Sequence, residues 1–156
     1  MLDMDIQRLV DGPSVPDDDV IRGWVKHALG ADDAVLINLR IVDQAEGWAL
    51  NKQWRGKDYP TNVLSFPASV PVLDDALDNK RVLGDVVLCA PVIEREATEQ
   101  SKSLESHWAH LVIHGLLHLH GFDHTHAEQA VAMEAREIEL LAGLGFDNPY
   151  KNDHDN

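Results

Sequence analysis

Residues 103–124 read SLESHWAHLVIHGLLHLHGFDH, and this stretch decides the second half of the fold. Leu104, Trp108, Leu111, Val112, Leu116 and Leu119 recur at helical rather than strand spacing, which predicts a helix from Ser103 to His120 with Gly121 closing it. Seven of the nine histidines in the chain lie between His107 and His126, so the helix carries most of the imidazole chemistry available. His114 and His118 are four residues apart and therefore share one helix face, one turn apart. Gly121 can take the left-handed conformation that turns the chain sharply and returns His124 toward the same point. The pattern is HxxxHxxGxxH, which offers three neutral imidazoles and leaves one position of a tetrahedral zinc open, as in a catalytic site. Nitrogen ligands favour zinc, nickel or copper over magnesium, which prefers oxygen. Any one of these histidines is more simply a helix-face residue; three ligands, the helical spacing and a turn glycine coinciding make a site. His110 shares the face, but a straight set of 110, 114 and 118 spans about 12 Å, too far for one ion with bonds of about 2 Å. A supporting or packing role is left for His110, and His107, His120 and His126 read as solvated or core-edge residues. The spacing matches the zinc-protease signature HExxHxxGxxH except at Gly115, where that signature has the glutamate that serves as general base. The substitution removes the proteolytic chemistry and leaves proton handling to other groups.

Working outward, Thr125 should cap a further helix that carries Ala130, Met133, Ile138 and Leu141 on its apolar side and ends at Gly143, before a polar, frayed tail from Lys151. Upstream, Leu83 to Cys89 reads as a strand, and Pro91 suits the start of a helix from Val92 to Gln100. The first half alternates: a strand within Met4 to Val10, a helix from Pro16-Asp17-Asp18-Asp19 to Leu29 stopped by Gly30, and a strand over Ala34 to Val42. Asp43-Gln44-Ala45-Glu46 resembles a capping box for a helix through Leu50. Trp54 to Pro60 reads as a turn-rich loop. Asn62 to Phe66, cut off by Pro67, reads as an edge strand, and residues 67 to 81 as a mobile loop. The fold expected is α+β: a small mixed sheet of four strands packed with about five or six helices, with the three-histidine metal site after the central C-terminal helix.

Composition bounds the function. The 156 residues, 44% of them hydrophobic, suit one domain spanning 1–156. No apolar run is long enough for a membrane span, and the acidic start Met1-Leu2-Asp3-Met4-Asp5 lacks the character of an export signal, so a soluble, cytoplasmic protein is expected. The single cysteine, Cys89, reads as a small buried strand residue. With 13 basic and 27 acidic residues the net charge is −14, which repels a polyanion at long range and confines any nucleic-acid contact to a local surface.

Beyond the histidines, several motifs occur in order: Leu50-Asn51, Trp54-Arg55, Pro60-Thr61-Asn62-Val63-Leu64-Ser65-Phe66-Pro67 and Leu83-Gly84-Asp85, then His114-Gly115 through Asp123-His124. From about Asp43 onward the chain resembles the YbeY family, metal-dependent endoribonucleases that act as ribosomal RNA maturation factors. Some members carry aspartate at the place of Asn62, and an apolar residue is more usual at that of His120. The resemblance implies a single-strand-specific endoribonuclease that matures the 3′ end of the 16S ribosomal RNA and takes part in ribosome quality control. It implies zinc, or nickel or another transition metal, on His114, His118 and His124, and it places the functional arginine at Arg55. An arginine fork can pair two oxygens of a phosphate on which negative charge is growing.

The partners implied are single-stranded RNA, ribosomal RNA and the ribosome or its small-subunit proteins, with no membrane and no DNA. Lys52, Arg55 and Lys57, with Trp54 and Tyr59 close by in sequence, are the candidates for a local basic and stacking surface, although each aromatic taken alone reads as core. Weak intrinsic RNA affinity would then be supplemented by partners that raise the effective concentration. Asp85 and Asp123 are candidates for orienting a ligand histidine or handling protons, the other reading of each being a turn cap. Two other readings are a metal-dependent hydrolase of another substrate, and a non-enzymatic ribosome-assembly factor in which zinc is structural.

Overall fold

The computed structural model describes residues 3–10, 12, 14–30, 35–68, 81–121 and 127–150. Four strands form one mixed sheet: β1 (Asp3–Arg8), β2 (Val35–Val42), β3 (Val63–Pro67) and β4 (Arg81–Cys89), in the order β1-β2-β4-β3. β1 and β4 run parallel to β2, and β3 runs antiparallel to β4. Five helices, α1 (Asp18–Leu29), α2 (Gln44–Arg55), α3 (Ala90–Glu99), α4 (Leu104–Leu119) and α5 (Ala127–Gly143), complete the described residues. The expected α+β class and four-stranded mixed sheet are what is observed.

β2 alternates buried and half-buried residues, and its buried set Val35, Ile37, Leu39 and Ile41 is fully inaccessible. Those side chains enter the main core with Ile21 and Val25 of α1 and with the apolar residues of α4 and α5. A smaller cluster of Val42, Leu64, Val87, Cys89 and Val92 joins Leu50 and Phe66. α4 is the central helix: eleven of its residues are buried, and Ser103 caps it by accepting the Ser106 N–H. α4 lies tight against the sheet because of Gly115, where a Cβ would come within 2.7 Å of Val86 and 3.3 Å of Ser65 Oγ. The glutamate of the zinc-protease signature is thus opposed by packing as well as absent from the sequence.

Two boundaries move from expectation. α2 continues past Leu50 to Arg55 because Gly56, at φ 69°, forms the left-handed terminus: its N–H donates to the Lys52 carbonyl, and the Lys57 N–H to that of Asn51. Trp54 and Arg55 thus stand on the last turn of a helix rather than in a loop. The Asp43 side chain does cap α2 by accepting the Glu46 N–H, but Glu46 pairs with Arg40 at 2.7 Å instead of completing a capping box. The expected residues 69–80 of the loop, the Thr125 cap and the tail from Lys151 lie outside the described residues.

Candidate metal centre and cleft

α4 lines up His110, His114 and His118 at intervals of four, and α5 meets them with Glu137, whose residue is 0% exposed. Both rings reach this carboxylate: His110 Nε2 lies 2.8 Å from Oε2 and His114 Nδ1 lies 2.5 Å from Oε1. The Tyr150 hydroxyl donates to Oε2 as well. Tyr150 is brought back over α4 by the segment after α5, which Lys102 Nζ anchors through the Pro149 carbonyl at 2.6 Å. Burial alone would raise the pKa of Glu137, yet the hydrogen bonds from His110 and His114 outweigh it and hold that pKa at about 2. Glu137 is an ionised acceptor with three donors. For His110 burial wins, and its pKa falls below the ordinary histidine value.

A carboxylate only accepts, so His114 carries its proton on Nδ1 and turns the Nε2 lone pair outward. That Nε2 lies 3.1 Å from His118 Nε2, with the two rings at 79°. Two imidazole nitrogens bound to one tetrahedral zinc stand about 3.3 Å apart, so the donor pair fits a shared ion almost without movement. His110, His114 and Glu137 also bring one ligand atom each within 4.8 Å of one another, a group that could hold a metal ion.

His114 and His118 open onto a cleft of about 720 Å³ that reaches Arg55, Trp54 and Tyr59 on one side and β3 on another. Of the four site residues named from the sequence, His114, His118 and Arg55 come together here, and His124 lies outside the described residues. Gly121, at φ 96°, does make the left-handed turn required after α4. Trp54 and Tyr59 are 61% and 53% exposed, which corrects the expectation that each is core. Trp54 only rests edge-on against Phe66, and Asn51, fully buried in α2, holds the Tyr59 loop through the Tyr59 carbonyl at 2.7 Å. Of the nearby lysines, Lys52 lies 3.9 Å from Asp58, and neither it nor Lys57 lines the cleft.

Two further expectations change. Asp85 accepts from Asn38 at 2.9 Å, and among the described residues it is Glu137 that meets the second nitrogen of His114; Asp123 lies outside the described residues. His107 is 3% exposed and bonded to Glu96 at 3.0 Å, so it is a core histidine with a carboxylate partner. Glu96 also accepts from Asn62, which places the start of β3. Glu137 has a signal in the sequence, since it stands four residues from both Met133 and Leu141, a carboxylate on an apolar stripe.

A family described as Endoribonuclease YbeY matches residues 16–145. Among curated proteins, the Endoribonuclease YbeY of Pseudomonas entomophila is 56% identical over 98% of this chain and 96% of the relative. That of Methylococcus capsulatus is 50% identical over 97% of each. The solution structure of TM1509 from Thermotoga maritima superposes with a TM-score of 0.57 at 24% identity, covering 93% of this chain and 92% of the other, a likeness of fold. With the family match spanning most of the chain and relatives of half identity or more along nearly its whole length, the protein belongs to the YbeY family.

Proposed function

We propose that this chain is a zinc-dependent, single-strand-specific endoribonuclease, a single domain over 1–156 that works in the cytoplasm on ribosomal RNA. Its expected task is maturation of the 16S ribosomal RNA 3′ end together with ribosome quality control, with the ribosome or small-subunit proteins delivering the substrate. The observation that carries the metal chemistry is the convergence of His114 Nε2 and His118 Nε2 at 3.1 Å, with the far nitrogen of His114 pinned by Glu137. His114, His118 and His124 would hold the ion. When bound, zinc supplies a Lewis acid for the scissile phosphate and renders water more acidic.

The remaining work belongs to side chains. Glu137 fixes the tautomer and plane of His114, while His110 and Tyr150 fix Glu137. Arg55, which lines the same cleft, would bind phosphate oxygens with its planar fork. A glutamate at 115 would crowd Val86, which argues against peptide hydrolysis of the zinc-protease type. The test is cleavage of a single-stranded RNA by homogeneous protein beside His118→Ala prepared identically. Cleavage by the parent alone is expected. Equal cleavage by both, or none by the parent with zinc bound, overturns the reading and favours an assembly factor without catalysis.

A further inference from the structure

β3 is an edge strand, and its pairing fixes which backbone groups are left over. The Cys89 N–H donates to the Asn62 carbonyl and the Ala68 N–H to the Leu83 carbonyl, so the even-numbered residues face β4. Val63 and Ser65 therefore turn both N–H and C=O to the free edge. Pro67, which has no N–H to give, occupies the next outward position, as edge prolines do. Among the described residues no protein group pairs with the outward amides of Val63 and Ser65.

That free edge looks into the cleft. A sheet face would contribute every second residue to a cavity wall, whereas this wall includes every residue from 61 to 67. His114, His118 and Arg55 share the same cavity. Outward groups on alternate residues repeat about every 6.8 Å along a strand, close to the phosphate-to-phosphate step of an extended single-stranded nucleic acid. The chemistry matches too. Each nucleotide of RNA offers one acceptor, the phosphate, and one donor, the 2′-hydroxyl, against one N–H and one C=O per outward residue.

We propose that the free edge of β3 is the track for the substrate backbone: the N–H groups of Val63 and Ser65 donate to successive phosphates, and their carbonyls accept from 2′-hydroxyls. This rests on the endoribonuclease reading and adds to it a physical basis for choosing RNA over DNA, which has no 2′-hydroxyl to satisfy the carbonyls. An extended peptide could also pair with such an edge. The flanking groups favour RNA: the Arg55 guanidinium for phosphate, and the exposed rings of Trp54 and Tyr59 for unpaired bases. A duplex turns its bases inward and loses that stacking.

The test uses the zinc-loaded full chain and a set of single-stranded RNA oligonucleotides. Each carries one methylphosphonate linkage or one 2′-deoxy sugar at a successive position. Two adjacent linkages, distinct from the one cut, should each raise KM about tenfold when neutralised, and the neighbouring deoxy sugars should raise KM as well. Ser65→Pro removes the outward N–H, as Pro67 already does two residues on, and Ser65→Ala keeps it. Ser65→Pro should raise KM about tenfold over Ser65→Ala and erase sensitivity to one of the two linkages, which Ser65→Ala retains. A flat profile overturns the track while leaving the nuclease reading in place, as does a Ser65→Pro protein that keeps both sensitivities. A parent that cuts no RNA removes both. If Ser65→Pro fails to fold, the oligonucleotide scan on the unaltered protein decides by itself, and an edge that captures an extended peptide with RNA KM unmoved overturns the proposal in favour of strand addition.

Discussion

Glu137 stands where the helical period of α5 calls for an apolar side chain, and its burial is compensated by three hydrogen-bond donors. Groups that orient a metal-ligating histidine typically change affinity by about 10- to 100-fold when altered. Glu137→Gln should therefore weaken zinc binding by about that factor, read by competition with a chromophoric chelator, and His118→Ala should abolish tight binding. Were His110, His114 and Glu137 the ligands instead, His118→Ala would keep the metal. Arg55 makes the opposite case, a charge at a helix end whose loss leaves the core untouched. Arg55→Ala should melt within about 2 °C of the parent, as surface substitutions within about 0.5 kcal/mol do. Its rate of RNA cleavage should fall about 100-fold or more, the scale seen when a donor to a charged transition state is removed. Arg55 was readable only through the family motif, since by itself an arginine after a tryptophan is a solvated residue. Glu137 was readable in principle, but a stripe judged by its apolar members passes over the one carboxylate set among them.

At the scale of elements, α4 and β3 were legible because each carries a strong local signal: the apolar period with Ser103 and Gly121 at the ends of one, and the abrupt Pro67 at the end of the other. The extension of α2 was not, because Trp54 and Arg55 lie between a helical segment and a turn-rich one, and the deciding feature is the Gly56 terminus with its two hydrogen bonds. Gly115 shows what spacing cannot reveal. Its missing side chain reads as the loss of a general base, while the packing shows a close approach of helix to sheet. Gly115→Ala should cost about 1–3 kcal/mol, as overpacking of a filled core does, seen as a lower midpoint in urea. Gly115→Glu should be worse and should not acquire peptidase activity. A Gly115→Glu protein of parental stability would contradict the packing described.

For the whole molecule, the net charge of −14 and the single cleft arginine set the salt response. Among the described residues the cleft is lined by one arginine and by no lysine. The logarithm of RNA affinity should fall with that of salt with a slope of about 0.7 to 1.4, the value for one or two neutralised phosphates on a single strand. A slope of several would point to a basic surface elsewhere.

Acid stability is governed in part by Glu96, which ties α3 to His107 of α4 and to Asn62 ahead of β3. Burial pushes its pKa up, but the hydrogen bonds from His107 and Asn62 bring it below the ordinary glutamate value. A lowered folded-state value means that its stabilisation is complete above the unfolded value of about 4.3 and is lost as the pH drops through the folded one. Melting curves of the parent and Glu96→Gln should therefore differ most near neutrality and converge in acid.

The carboxylate that aims His114 is held by protein groups, two histidines of α4 and a tyrosine of the segment after α5. The apo protein should thus keep its circular dichroism after chelation and lose only the thermal stability that mass action assigns to the ligand. Readiness has a consequence for supply. A chain that keeps its fold without the ion would accumulate intact through a period of zinc starvation and become competent within the time an ion takes to diffuse in, with no refolding and no new translation.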